Sequence, residues 1–437
     1  MKSFRVSPFI AVLLVTFACS DAAPPAPDDA AARTASNEPR PLPADQTPPP
    51  RSVTQNNVPE ELEIPRESFN DGARAFNEVK NALLKSYYAE GMSEDDVYRA
   101  ATAGMLAQLE PRMRKYNKLL SPTEIAEVKN DLKGEVVGVG IQISFDEKSG
   151  YTDVLGTIAG SPSEKAGLVA GDKIVTVDGK LYKGMKLRDV VADIRGKVGT
   201  SVTLSVLRGD KLLPFTLTRD RLVFDAPSAS FVGAPDDKLG YVRIPSFTEK
   251  TPAAVRAGLE ELAAKGARAL VIDLRHSPGG SFDRALETAE LLLPEGAPIV
   301  TLQKKGKPEE THVSKGKPIL GDVPAAVLVD EMTASGAELL ASALREQRHA
   351  KLVGARTYGK WSVQALDDLP NGWAYKYTLG LFKIPAGKSY EGTGVSPDVE
   401  LAMDEGALGR ANHGKPEERL TIDVQLRTAR ELLLRAP

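Results

Sequence analysis

The chain has 437 residues and a mass of 46.8 kDa, with 56 Lys and Arg against 59 Asp and Glu, a net charge of −3, and 42% hydrophobic residues. At roughly 150 residues per domain that length suggests about three units, and the composition excludes a polytopic membrane protein or a wholly disordered chain. The charge balance leaves no basic excess for a nucleic-acid partner, while one Cys and four His exclude an internal disulfide and a Cys-rich zinc site and speak against a His-based one.

Residues 1–19 run from a basic start (Lys2, Arg5) through an apolar stretch, Pro8 to Ala18, to Cys19. This is the order of a bacterial export signal, and the stretch is too short to span a bilayer. The segment resembles a lipoprotein signal, which makes Cys19 the lipidation residue and the membrane a partner through that anchor. Thr16 stands where such signals carry Leu, so a soluble exported protein cut among Ser20 to Ala23 is the alternative. Residues 20–60 are rich in Pro and Ala, including Pro48-Pro49-Pro50, and read as an extended tether.

Residues 61–133 read as an N-terminal helical cap. Phe76, Val79, Leu83, Leu84 and Tyr87 recur at helical spacing, as do Val97, Ala101, Met105 and Leu109. Ser121-Pro122-Thr123-Glu124 reads as a helix start, with a capping Ser and Pro at the first position.

From Gly134 to about residue 222 the texture turns to short β-branched runs. Val136–Phe145, Thr152–Ile158, Lys173–Val177, Ser201–Arg208 and Phe215–Arg219 read as strands and Leu187–Ile194 as a helix, together a small closed β module. Arg208-Gly209-Asp210 falls between two strands and reads as a turn. Residues 223–437 alternate strands and helices: Leu239–Ile244, Pro252–Lys265, Ala269–Leu274, Ala285–Leu293, Ala325–Val329 and Ala334–Glu346, closing on an amphipathic helix from Asp423 to Leu434. That is an α/β core, a mixed sheet with crossover helices.

Three pieces of this core carry chemistry. Strand Ala325–Val329 leads to Thr333-Ala334-Ser335-Gly336 and then at once to a helix, which would set the Ser335 hydroxyl beside free helix N–H groups suited to an oxyanion. The bland alternative is a Ser that caps the helix. Tyr358-Gly359-Lys360-Trp361 flanks a lysine with aromatic rings, which would lower its pKa towards a usable base; the alternative is a solvated surface charge. A buried strand ends in Ser277-Pro278-Gly279-Gly280, whose N–H groups could face an anion.

Together these pieces resemble the carboxyl-terminal processing peptidases, or tail-specific proteases. The 25-residue step from Ser335 to Lys360 and the further four to Gln364 match that family's Ser-Lys-Gln arrangement, and Leu274-Arg275 with Pro278-Gly279-Gly280 matches its glycine loop. Gly392-Thr393-Gly394-Val395-Ser396-Pro397-Asp398 resembles its late motif, and Ser161–Gly179 resembles the central signature of bacterial PDZ domains. The resemblance implies Ser335 as nucleophile, Lys360 as general base, Gln364 orienting Lys360, and the Gly280 and Gly336 amides as oxyanion hole. It implies an acyl-enzyme and no metal or cofactor. Val137, Gly138, Val139 and Gly140 stand at the carboxylate-binding loop of the PDZ domain, so the expected partner is a protein or peptide with a free C-terminus.

Two further patterns compete for the same residues. Asp273, His276 and Ser335 could be imagined as a triad, and Gly354 to Lys360 fits a phosphate loop except for Trp361 at the next position. A non-catalytic PDZ scaffold on the same fold is the alternative function. The expected location is the periplasm, with a second copy of the chain and an adaptor protein as candidate partners.

Overall fold

The computed structural model describes residues 68–146, 149–158, 160–185, 187–223, 226–403 and 416–434. The export signal, Cys19 and the whole tether lie outside the described residues.

The N-terminal unit forms helices Gly72–Ser86, Glu94–Ala107 and Pro122–Lys133. Ser93 and Ser121 each close a capping box, with Asp96 and Glu124 three residues on, satisfying amides that a helix start leaves open. The expected apolar faces are not buried, however. Lys80 is the one buried residue of the first helix, the second has none, and Val79 and Met105 are 58% and 66% exposed. Nor is the unit purely helical. A 3-10 turn, Pro111–Tyr116, leads into strand Lys118–Leu120, which pairs antiparallel with the long core strand Ala374–Lys383.

In the β-rich module, strands Lys173–Val177 and Ser201–Arg208 and helix Leu187–Ile194 stand where the sequence pattern puts them. The first expected strand is two, Glu135–Gly138 and Ile141–Asp146. Glu135–Gly138 pairs with Asp220–Val223 where the chain enters and leaves the module. Ile141–Asp146 begins a sheet that continues through Tyr151–Thr157, Lys173–Val177, Ser201–Arg208 and Lys211–Thr218. This sheet is open, not closed as expected, because its first and last strands each have one partner among the described residues. Arg208 holds the buried Asp172 through two hydrogen bonds of 2.6 and 2.7 Å, so the Arg-Gly-Asp tripeptide is the hairpin turn between the last two strands.

The core is built on six strands in the order Ser228–Val232, Leu239–Arg243, Ala269–Asp273, Ala325–Val329, Lys351–Gly354 and Val399–Glu400. All pairs are parallel but the first, as helical crossovers require. Alternate strand residues face two layers. Val242, Ile272 and Val327 pack on helices Thr251–Ala264, Phe282–Glu290 and Gly336–Arg348, while Tyr241, Val271 and Ala326 pack on helix Val424–Leu434. Burial on both faces explains the unbroken apolar runs of these strands. A second, antiparallel sheet was not anticipated: Ala374–Lys383 pairs with Ser362–Asp368, with Pro298–Lys304 and with Lys118–Leu120.

Candidate active site

The Ala325–Val329 strand ends in a turn that Asp330 organises. Its carboxylate accepts the amides of Met332 and Thr333 and, from the neighbouring strand end, that of His276. Ser335 follows at φ 60° and ψ −117°, a backbone that non-glycine residues seldom adopt. It is 2% exposed, and its Oγ makes no hydrogen bond. The hydroxyl therefore does not cap the helix Gly336–Arg348 that begins beside it. Glu338 takes that role, accepting the Ser335 amide at 2.8 Å.

The glycine loop packs directly on this turn. Ala334 N–H donates to Ser277 O at 2.9 Å. Gly279 sits at φ 92°, and a Cβ built on it would lie 2.8 Å from Ala334 O and 2.9 Å from both Gly336 N and Ser335 Cβ. Only glycine fits. The loop is braced from behind by Arg275, which bonds Asp273, Asp423 at 2.7 Å and Gln425 at 2.9 Å, all buried.

Glu338 also joins the Ser335 turn to the segment that carries Lys360. Its two oxygens accept Gly359 N–H at 2.8 Å, Lys360 N–H at 2.9 Å and the Thr357 hydroxyl. Four donors on one carboxyl use it as an acceptor only, its ionised form, while complete burial pushes its pKa up against them. The Lys360 segment is held from its other side by the late motif, where Gly392 N–H donates to Gly359 O and Thr357 N–H to Val395 O.

Lys360 is 1% exposed, and its Nζ lies 4.9 Å from the centre of the Tyr116 ring, which the N-terminal unit supplies. Burial, and next the like charge of Lys376, pull its pKa down to about 7, against the pull of Glu391 and Glu338. Gln364 is fully buried; its Nε2 donates to Ser362 Oγ at 3.1 Å and its Oε1 has no partner. The fold thus gathers the Ser335 turn, the glycine loop and the Lys360 segment in one place.

A model of peptidase family S41 matches residues 238–401, and a PDZ domain model matches residues 154–208. The carboxyl-terminal-processing protease of Picosynechococcus sp. is 32% identical over 343 residues, covering 78% of this chain and 80% of its own. The chain belongs to the carboxyl-terminal processing serine proteases of family S41. The carboxy-terminal processing protease CtpA of Bacillus subtilis is 30% identical over 342 residues, 77% of this chain and 71% of its own. Among solved structures, a photosystem II D1 C-terminal processing protease superposes with a TM-score of 0.51 at 28% identity, covering 81% of this chain and all of that one.

The competing patterns come apart in this protease. His276 Nδ1 pairs with Asp330 at 2.6 Å, and Asp273 is taken by Arg275 and Tyr241, so no Asp273–His276–Ser335 triad assembles. The Gly359 and Lys360 amides that a phosphate would need already bond Glu338.

In the PDZ domain, Val137 and Gly138 stand opposite Arg221 and Asp220 in the entry ladder, which leaves Val139 and Gly140 as the turn. Their carbonyls are tied to Ser163 and Ile158, and the strand that follows, Ile141–Asp146, has one open edge among the described residues. Glu338, Tyr116 and Lys376 were missed by sequence reasoning. The Ser335-x-x-Glu338 spacing of a capping box was available for Glu338; nothing local marks the other two.

Proposed function

We propose that this protease cleaves polypeptides through a Ser335–Lys360 dyad. Ser335 Oγ attacks the scissile carbonyl while Lys360 Nζ takes its proton, then returns it to the leaving amine. Water enters by the same route and releases the acyl group. The Gly336 and Gly280 amides receive the oxyanion, and Gln364 steadies Lys360 from the adjoining strand. The observation that carries this reading is a lysine whose pKa burial lowers to about 7, on a segment that Glu338 ties to the turn of a Ser whose hydroxyl makes no hydrogen bond; a base near neutrality and an uncommitted nucleophile are what acyl transfer needs.

The substrate we infer is an exported protein whose C-terminal end adds to the open edge of Ile141–Asp146 and sets its carboxylate at the Val139–Gly140 turn. Lipid on Cys19 would hold the enzyme at a periplasmic membrane, the Pro-rich tether would give reach, and a second copy would cover the exposed face of the N-terminal helices. The test is cleavage of an unfolded protein with a free apolar C-terminus. Ser335→Ala and Lys360→Ala each abolish it, Lys360→Arg does too because Arg keeps its proton, and His276→Ala does not. If Ser335→Ala cleaves as well as the parent, the dyad is wrong. Incorporation of labelled lipid that is lost in Cys19→Ala tests the anchor separately.

A further inference from the structure

Lys376 is a second buried lysine that the steps above leave unused. It lies within Ala374–Lys383 and is 1% exposed. Strand register sets it opposite Lys118 on one side and Leu366 on the other. Gln364 pairs with Thr378, two residues along, so Lys376 and Gln364 are diagonal neighbours on one face of the sheet. The short segment Tyr116 to Lys118 reaches both lysines. The Tyr116 ring covers Lys360 Nζ at 4.9 Å, Asn117 Oδ1 accepts the Thr378 amide at 2.9 Å, and Lys118 is the cross-strand partner of Lys376.

No carboxylate among the described residues neutralises Lys376; the charge acting on it is that of Lys118. A buried ammonium without a counter-ion is costly, and packing alone would be served better by Leu or Met. Around Lys360 stand Glu338 from its helix, Glu391 from the segment after the long strand, Lys115 and Tyr116 from the 3-10 turn, and Lys376. Among these neighbours Lys376 exerts the largest influence.

We propose that Lys376 is a positioning residue for the proton of the reaction: the two lysines form a coupled pair of buried amines in which the charge on Lys376 keeps Lys360 neutral and able to accept. Two like charges in a low-dielectric site do not both persist, so one proton is retained and the other amine is freed. Both amines are 1% exposed and both are pulled down, Lys360 to about 7 by burial and then by Lys376, and Lys376 to about 8 by burial and then by Lys118. On this reading the retained proton sits on Lys376. This rests on Lys360 as the general base.

The experiment is the pH profile of kcat/KM for the full chain, from about pH 5.5 to about pH 10, in the parent, Lys376→Met and Lys376→Arg. In Lys376→Met the acid limb moves up by on the order of one pH unit, so activity at pH 7 falls about fivefold, more nearly tenfold below it, and returns at alkaline pH. Lys376→Arg keeps the charge, and its limb does not rise. An acid limb in Lys376→Met that coincides with the parent's overturns the proposal. So does a limb that rises equally in Lys376→Arg, or a loss that is the same at every pH with KM raised and kcat kept, which marks a grip on substrate. Should Lys376→Met fail to melt cooperatively, Lys376→Gln serves as the neutral variant and the Arg arm still decides. If instead Lys360→Ala stays active, it is the dyad that has failed, which the Lys376 profiles alone would not report.

Discussion

Helix Gly336–Arg348 in the protease core is buried without a break from Gly336 to Leu344, whereas helix Gly72–Ser86 near the N-terminus buries Lys80 alone. Both are amphipathic by sequence, and both begin with capping residues or tight turns. Their fates differ because the core helix is enclosed by the parallel sheet, the glycine loop and the Lys360 segment, while the N-terminal helix packs mainly on helix Glu94–Ala107 among the described residues. The comparison also separates two uses of polar groups. In the core, buried polar side chains are knitted to backbone amides and hold the Ser335 turn and the Lys360 segment in place. In the N-terminal unit they cap helices at the surface, and among the described residues the unit reaches the site through the segment from Lys115 to Lys118.

The comparison breaks most visibly at Glu338. Glu338→Ala leaves four donors without their acceptor, and buried unpaired donors cost about 1–3 kcal/mol each. The expected outcome is at least about a hundredfold loss of cleavage, because both reactive segments shift, and a fall in Tm of many degrees in a thermal melt. A Tm within a degree or two of the parent would mean that the core does not depend on this carboxylate.

Lys360→Met has the opposite sign for stability. The pKa of Lys360 falls from 10.5 to about 7 on folding, so between those values the unfolded chain binds one more proton than the folded one. Stability therefore rises as pH rises through that window, and the full penalty is present below it. Removing the amine relieves a cost on the order of a few kcal/mol at neutral pH, so the inactive variant melts higher than the parent at neutral pH, with the gap closing towards about pH 10. A gap that does not change with pH would place the effect in packing.

His276→Ala removes a half-exposed pair with Asp330. Asp330 keeps its backbone donors, so the loss is about 1 kcal/mol or less, and cleavage stays within about twofold of the parent, as expected for a residue outside proton transfer. The smallest effect on folding comes from Val79→Glu with Met105→Glu on the open face of the N-terminal helices. Exposed substitutions change stability by about 0.5 kcal/mol or less, so Tm is unmoved, while the mass by light scattering drops if that face joins two copies.

Local rules were enough wherever one segment decides its own conformation. The Ser121 cap, the parallel strands buried on both faces and the strand-to-helix turn at Ser335 could be read directly, because capping, periodicity and turn chemistry act over a few residues. The aromatic flanks of Lys360 gave only a weak local signal; the family's spacing joined it to Ser335 and added Gln364, which no local rule would single out. Reading failed where partners come from far along the chain. The N-terminal apolar stripes look like core and are not; strand Lys118–Leu120 was absorbed into a helical cap; and Ala374–Lys383, with three different partners, carries no pattern that announces them.

The sequence by itself determined the layout, the α/β core with its β-rich PDZ domain, and the residue types from which a Ser–Lys reaction can be assembled. The tertiary structure alone decided that Lys360 is buried, that Glu338 ties the Ser335 turn to the Lys360 segment and that Lys376 is buried on the same sheet face as Gln364. Burial, and the electrostatics that follow from it, are set by neighbours that sequence separation hides.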